Sequence, residues 1–325
     1  MAHVAEPLLP TPLPAKGGTE AVQRAAEEVQ RFYQIAGMTL GLSADVEITD
    51  ETFAEKFLQF EIPAPIGEVV RIHHHFALPD LEALDPGQLV YERRPWAIYR
   101  RDREWLYLVV DDDGERRVVH RVAQLNDGYT ACRMYSSPDI GARFASGGFV
   151  SLALFATDQV LLAPVLAERR ACYVHSSGVI LDGKGLLFVG HSEAGKSTAS
   201  GFMAQVGQLL CDDRNIVRRW PDGFRVHGTW SHGEVPIVSP ESARLAAILF
   251  LRKAPHNRLE PLRDPQRIAG ELLPCVVRPL VTADWWHKTL DLFDSLAKEV
   301  PCYVLEFDKS GRIVELLRDL VADGR

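Results

Sequence analysis

Cysteine is sparse in this 325-residue chain. Its five residues, Cys132, Cys172, Cys211, Cys275 and Cys302, are scattered and include no C-x-x-C pair. That argues against a disulfide framework or a cysteine-built zinc site, and it suits a reducing compartment, so a cytoplasmic protein is expected. A surplus of positive charge is missing too. Lys and Arg number 36 against 44 Asp and Glu, net −8, so the broad basic surface used in general nucleic-acid binding is not expected. No long hydrophobic run occurs either. The most apolar stretch, FVSLALFATDQVLLAPVLA over 149–167, is interrupted by Asp158, Gln159 and Pro164, and it reads as a buried helix rather than a membrane span. The opening MAHVAEPLLPTPLPAKGG has no apolar core of the signal-peptide kind. What is present is a globular composition, 46% apolar and 25% charged, on a chain long enough for two separate cores.

Local patterns divide the chain. Residues 1–19 are Pro-rich and read as a flexible tail. Over 20–36, Val22, Ala25, Val29, Phe32 and Ile35 recur at helical spacing and predict an amphipathic helix. The segments VVRIHHHF, WAIYRR, EWLYLVVDDDGERRVVHRV and GYTACRMYS then read as strands, with DDDGE at 111–115 as a hairpin turn. Residues 20–148 are therefore expected to form a smaller β-rich α+β domain for recognition or dimerisation, which keeps a homo-oligomer open. From 149 the pattern predicts an α/β domain running to 325. A helix over 149–168 leads into two strands, ACYVHSSGVIL and KGLLFVG, joined by a turn at Asp182-Gly183. A Gly-rich loop, a helix over 197–206 and the strand GQLLCDD follow, the order of a nucleotide-binding unit. Further on come a buried strand over 244–253, a helix over 283–299 and a closing strand, Gly turn and helix.

The loop GHSEAGKS matches G-x-x-x-x-G-K-S/T. The motif assigns nucleotide contact to Gly190, His191, Ser192, Glu193, Ala194, Gly195, Lys196, Ser197 and Thr198. Gly190 and Gly195 allow backbone conformations closed to other residues, so N–H groups can converge on phosphate oxygens beside a helix N-terminus. Lys196 is expected to neutralise the β- and γ-phosphates, and the Ser197 hydroxyl to bind Mg²⁺. About sixteen residues past Lys196, at the end of the next strand, stand Asp212 and Asp213. Adjacent carboxylates there suit two duties, holding Mg²⁺ and accepting a proton from a hydroxyl nucleophile.

Over 171–217, YVHSSGVILDGKGLLFVGHSEAGKSTASGFMAQVGQLLCDD resembles the C-terminal catalytic domain of the HPr kinase/phosphorylase family, whose fold is related to phosphoenolpyruvate carboxykinase. The resemblance implies an ATP- and Mg²⁺-dependent serine kinase. In it His175 is the active-site histidine, Asp212 the general base, and Asp213 with Ser197 the metal holders. Two features depart from the family. Thr198 stands where a Glu usually follows GKS, and no RGLG-type run appears, GTWSHGEVPIVSP occupying 228–240 instead. The chain thus more closely resembles divergent members that phosphorylate a serine of a precursor peptide. A small-molecule hydroxyl kinase and a non-catalytic nucleotide sensor or scaffold are the alternatives.

Second-rank candidates surround this motif. His232 and Glu234 in WSHGE, and Arg252 and Arg258 in RKAPHNR, are candidates for acceptor or phosphate contacts. HHH at 73–75 puts His73 and His75 on one face of a strand, two ligands without identified partners, and reads as strand histidines.

Overall fold

Alternating runs of β-branched and aromatic residues form two large sheets in the computed structural model, which describes residues 7–14, 28–113, 116–155, 157–191, 193–278 and 282–322. The chain divides into two compact units, Met1–Val165 and Leu166–Arg325. No helix among the described residues is long and apolar enough to cross a membrane. All five cysteines are free and buried.

The first unit is built on β1 (Arg31–Ile35), β2 (Met38–Ala44), β3 (Glu61–Ile62), β4 (Glu68–His75), β5 (Gln88–Arg93), β6 (Trp96–Arg101), β7 (Glu104–Asp113), β8 (Arg116–Asn126) and β9 (Ala131–Ser136). They line up as β3-β1-β2-β4-β9-β8-β7-β6-β5. Strand β4 runs parallel to both β2 and β9, and the other neighbours are antiparallel. A short helix, α1 (Pro138–Arg143), follows β9.

Three expectations are corrected in this unit. The helix predicted over 20–36 is a strand in its described part, β1. Ala36 and Gly37 both take positive φ, 50° and 74°, which makes a tight two-residue turn and pairs Ile35 with Met38. The remainder of that prediction, 20–27, lies outside the described residues, as do 114–115 of the DDDGE turn. The stretch 7–14 of the supposed flexible tail is anchored. Leu13 is buried and its N–H donates to Tyr135 Oη at 3.0 Å, while Arg133 Nε and Gln124 Nε2 donate to the carbonyls of Pro10 and Thr11 at 2.6 and 2.8 Å. Prolines keep such a segment extended, which leaves its carbonyls available to buried donors.

The helix predicted over 149–168 is only α2 (Gln159–Glu168). Ahead of it, the buried Asp158 carboxylate accepts from Ser151 Oγ at 2.7 Å and Ala153 N–H at 2.8 Å, and Leu154 takes φ 55°. A side chain that binds the backbone locally competes with helix and wins here. Backbone bonds between Phe149 and both Thr52 and Ala54 keep this stretch with the first unit.

The second unit contains β10 (Ala171–Leu181), β11 (Lys184–Val189), α3 (Lys196–Met203), β12 (Gln208–Cys211), β13 (Arg214–Trp220), β14 (Gly223–His227), β15 (Ser242–Lys253), β16 (Arg258–Leu262), α4 (Pro265–Leu272), α5 (Ala283–Glu299), β17 (Cys302–Phe307) and α6 (Ile313–Ala322). Its strand order is β11-β10-β13-β14-β15-β17-β16, with β12 on β10 and a further pairing of β11 with β15 that closes five strands into a ring. Strands β11, β15 and β17 are parallel neighbours, so their carboxyl ends lie together. One core gathers Ile268 and Leu272 of α4 with Trp285 and Phe293 of α5. Another gathers Met203 of α3 with Ile313 and Leu317 of α6.

Candidate phosphate-binding site

The loop GHSEAGKS leaves the carboxyl end of β11, whose last residues are fully buried, and α3 begins at Lys196. Gly195 is the N-cap of α3 with φ 101°, and a Cβ there would sit 2.7 Å from Phe307 Cζ. A Cβ on Gly190 would sit 2.6 Å from that of Ala194. Both positions thus require glycine, one for conformation and one for close approach. His191 and Glu193 are exposed, Ala194, Ser197 and Thr198 half-buried. Ser192 lies outside the described residues.

Lys196 is buried, and its ammonium donates to the carbonyls of Gly190 at 2.8 Å and His191 at 3.0 Å. Burial lowers its pKa, opposed by the nearby Cys275, Asp213 and Asp212. The loop lysine and the DD pair therefore share one electrostatic environment, although the sequence separates them by a helix and a strand.

The two carboxylates differ sharply. Asp212 is 4% exposed, and its Oδ1 and Oδ2 accept the N–H groups of Gly233 at 2.6 Å and Val235 at 2.9 Å. It ties down the WSHGE loop, at whose surface His232 and Glu234 are exposed. Asp213 faces His175, with Nδ1 to Oδ1 at 3.1 Å, and Arg214, with Nη1 to Oδ2 at 3.2 Å. Burial works to raise the Asp213 pKa. The His175 hydrogen bond outweighs it, together with the charges of Arg214, His175 and Lys196, and leaves the carboxyl below its ordinary value. His175 stands on β10 opposite Arg214, and its N–H donates to Cys275 O at 2.6 Å.

Of the basic candidates, Arg252 stands next to last in β15 and pairs with Glu271, while its Nη1 donates to Leu251 O at 2.9 Å. Arg258 is exposed on β16 with Glu260 at 3.7 Å. Sequence reading missed two features. Cys275 reaches Lys196 through an isolated bridge between Val174 and Val276, which no local pattern announces. A cavity of about 290 Å³ beside the loop is lined by Gly195, Thr198, Lys253, Phe307 and Lys309 among others. It lies at the carboxyl ends of the parallel strands, where α/β sheets commonly place ligands.

Comparison with known proteins gives a limited set of likenesses. A search of curated proteins finds no match. Among solved structures, the HPr(Ser) kinase/phosphatase from Coxiella burnetii is similar over 46% of this chain and 88% of its own, at 11% identity and a TM-score of 0.30. The family model for SynChlorMet cassette protein ScmC matches residues 154–322, which contain the phosphate loop, the DD pair and His175. That match spans more than half of the 325 residues, and the chain belongs to the ScmC family.

Proposed function

We propose that the chain is an ATP- and Mg²⁺-dependent phosphotransferase that acts on a serine hydroxyl of a peptide or protein. The observation that carries this reading is a glycine-built loop whose buried Lys196 shares one charge environment with Asp212 and Asp213. In the reading, the Lys196 ammonium exchanges its bonds to the Gly190 and His191 carbonyls for phosphate oxygens. Ser197 and Asp213 offer hard oxygen donors, the set that suits Mg²⁺. That ion supplies neutralisation of phosphate charge. His175 orients Asp213 and helps keep it ionised. Asp212 takes the acceptor's proton while fixing the loop that carries His232 and Glu234. Transfer of this kind depends mainly on positioning and electrostatics.

The Asp213–Arg214 ion pair favours a second reading, a nucleotide sensor whose metal-holding carboxylate is already neutralised by a cation of its own chain. Two measurements separate the readings. Calorimetry with a non-hydrolysable ATP analogue and Mg²⁺ should show binding by the wild type and none by Lys196→Ala. Transfer from labelled ATP to serine peptides should then follow. Absence of binding by the folded wild type sinks both readings. Binding without transfer to any peptide or small hydroxyl acceptor leaves the sensor.

A further inference from the structure

The three consecutive histidines of β4 acquire in the fold what the sequence could not identify, a third partner. Strand β2 runs parallel to β4 with Ser43 beside His73 and Ala44 beside His74. The next residue, Asp45, is held at the strand end by its N–H to His74 O at 3.0 Å. Its carboxylate lies over the face that His73 and His75 share. Oδ1 is 3.2 Å from His73 Nε2 and 3.1 Å from His75 Nδ1, and Oδ2 is 3.2 Å from the same His75 nitrogen. We propose that Asp45, His73 and His75 form a binding site for a borderline divalent transition cation, of which Zn²⁺ is the type.

The spacing suits that chemistry. Ligand bonds of about 2.0–2.1 Å in a tetrahedron set donor atoms about 3.3 Å apart, close to the separations here. Two imidazoles and one carboxylate suit zinc, cobalt or iron rather than Mg²⁺ or Ca²⁺, which take all-oxygen sets. Both imidazoles are immobilised. His73 is fully buried, with Nδ1 2.8 Å from Ser43 Oγ, and His75 is 3% exposed and stacked on Tyr135. Such outer partners fix ring orientation in metal sites. Asp45 is 36% exposed, so the carboxylate side is open to an entering ion and to a water as fourth ligand. Two contacts compete with the ion. Phe76 N–H donates to Asp45 Oδ2 at 3.3 Å, and Arg133 Nη1 donates to His75 Nε2 at 3.0 Å. The Arg133 bond places the ring proton of His75 on Nδ1, so the cation binds only as that bond is given up.

The test uses the full chain, stripped of metal with a chelator and titrated with Co²⁺, followed by its visible absorption, and with Zn²⁺ by calorimetry. The expected result is one ion per chain, with affinity at least ten-fold weaker in Asp45→Asn. This variant keeps the shape of the side chain and stays folded by circular dichroism. Asp213→Asn should bind as the wild type does, because the carboxylate proposed to hold Mg²⁺ beside the phosphate loop is a separate site in the other unit. The proposal is overturned if the folded wild type binds neither ion, or if Asp45→Asn binds them as tightly. Either result makes the cluster a hydrogen-bonded network only. Loss of the ion in Asp213→Asn also overturns it, since the ion then belongs to the site beside the loop.

Discussion

Asp212 accepts two backbone N–H groups where Asp213 accepts from side chains, and the same substitution should therefore do different things to the two neighbours. Asp212→Asn turns an NH₂ towards the Gly233 or Val235 N–H. A hydrogen bond to a charged group contributes about 1.5–3 kcal/mol, and these part-buried bonds stand at the lower end, so a drop in urea midpoint should accompany any loss of transfer. Asp213→Asn should lose transfer, with a change in midpoint that is largest near neutral pH. The Asp213 pKa is lowered on folding, so its contribution is present above the ordinary value of 3.8 and disappears as pH falls through the folded value. The stability gap between wild type and Asp213→Asn should accordingly close on acidification below 3.8, and a gap that widens there would reverse the sign argued here.

His227 acts in the same direction from a higher pH. It is buried, and burial first, then the charges of Arg218 and Arg225, lower its pKa to about 3. Trp220 Nε1 donates to its Nε2 at 3.3 Å, which needs the neutral ring. The unfolded chain then takes up a proton below the ordinary 6.5 that the folded chain refuses, and stability falls from 6.5 towards 3. In His227→Gln this fall should be shallower in thermal melts across that range.

At the scale of elements, the entry to α3 is the most constrained backbone near the site. Gly195→Ala puts a methyl against Phe307 at a φ that L residues rarely adopt, and should cost about 2 kcal/mol or more. Nucleotide binding should weaken with it, because the loop moves. Gly183→Ala is the control. Its φ is 76° but nothing lies within 4 Å, so it should cost only about 1 kcal/mol and leave binding intact. The start of α5 is closed by Thr282, whose hydroxyl accepts from Trp285 N–H at 3.2 Å. Thr282→Ala should lower stability by about 1 kcal/mol in denaturant unfolding.

For the whole molecule, the proposed function predicts a ligand-dependent melt. A nucleotide analogue with Mg²⁺ at a hundred times its dissociation constant should add about 2.7 kcal/mol to the state that binds it. The rise in melting temperature should vanish in Lys196→Ala and persist in His232→Ala, whose exposed side chain has its Nδ1 3.3 Å from the neighbouring Gly233 carbonyl. By itself the sequence determined the elements whose apolar period is long and locally consistent. The strand Ala171–Leu181, the loop after β11 and the helix Ala283–Glu299 stand where the apolar runs and the glycine spacing put them. It could not determine β1, where helical spacing and strand alternation share the same few residues and the Ala36-Gly37 turn decided between them. Nor could it announce that the buried Asp158 holds the chain out of helix until Gln159, because a side chain's preference for the backbone depends on what surrounds it. Only the tertiary structure brought Cys275 to Lys196, gave Asp212 its two N–H donors and set Asp45 across His73 and His75. Contacts between distant residues are fixed by strand pairing and register, which local periodicity does not encode.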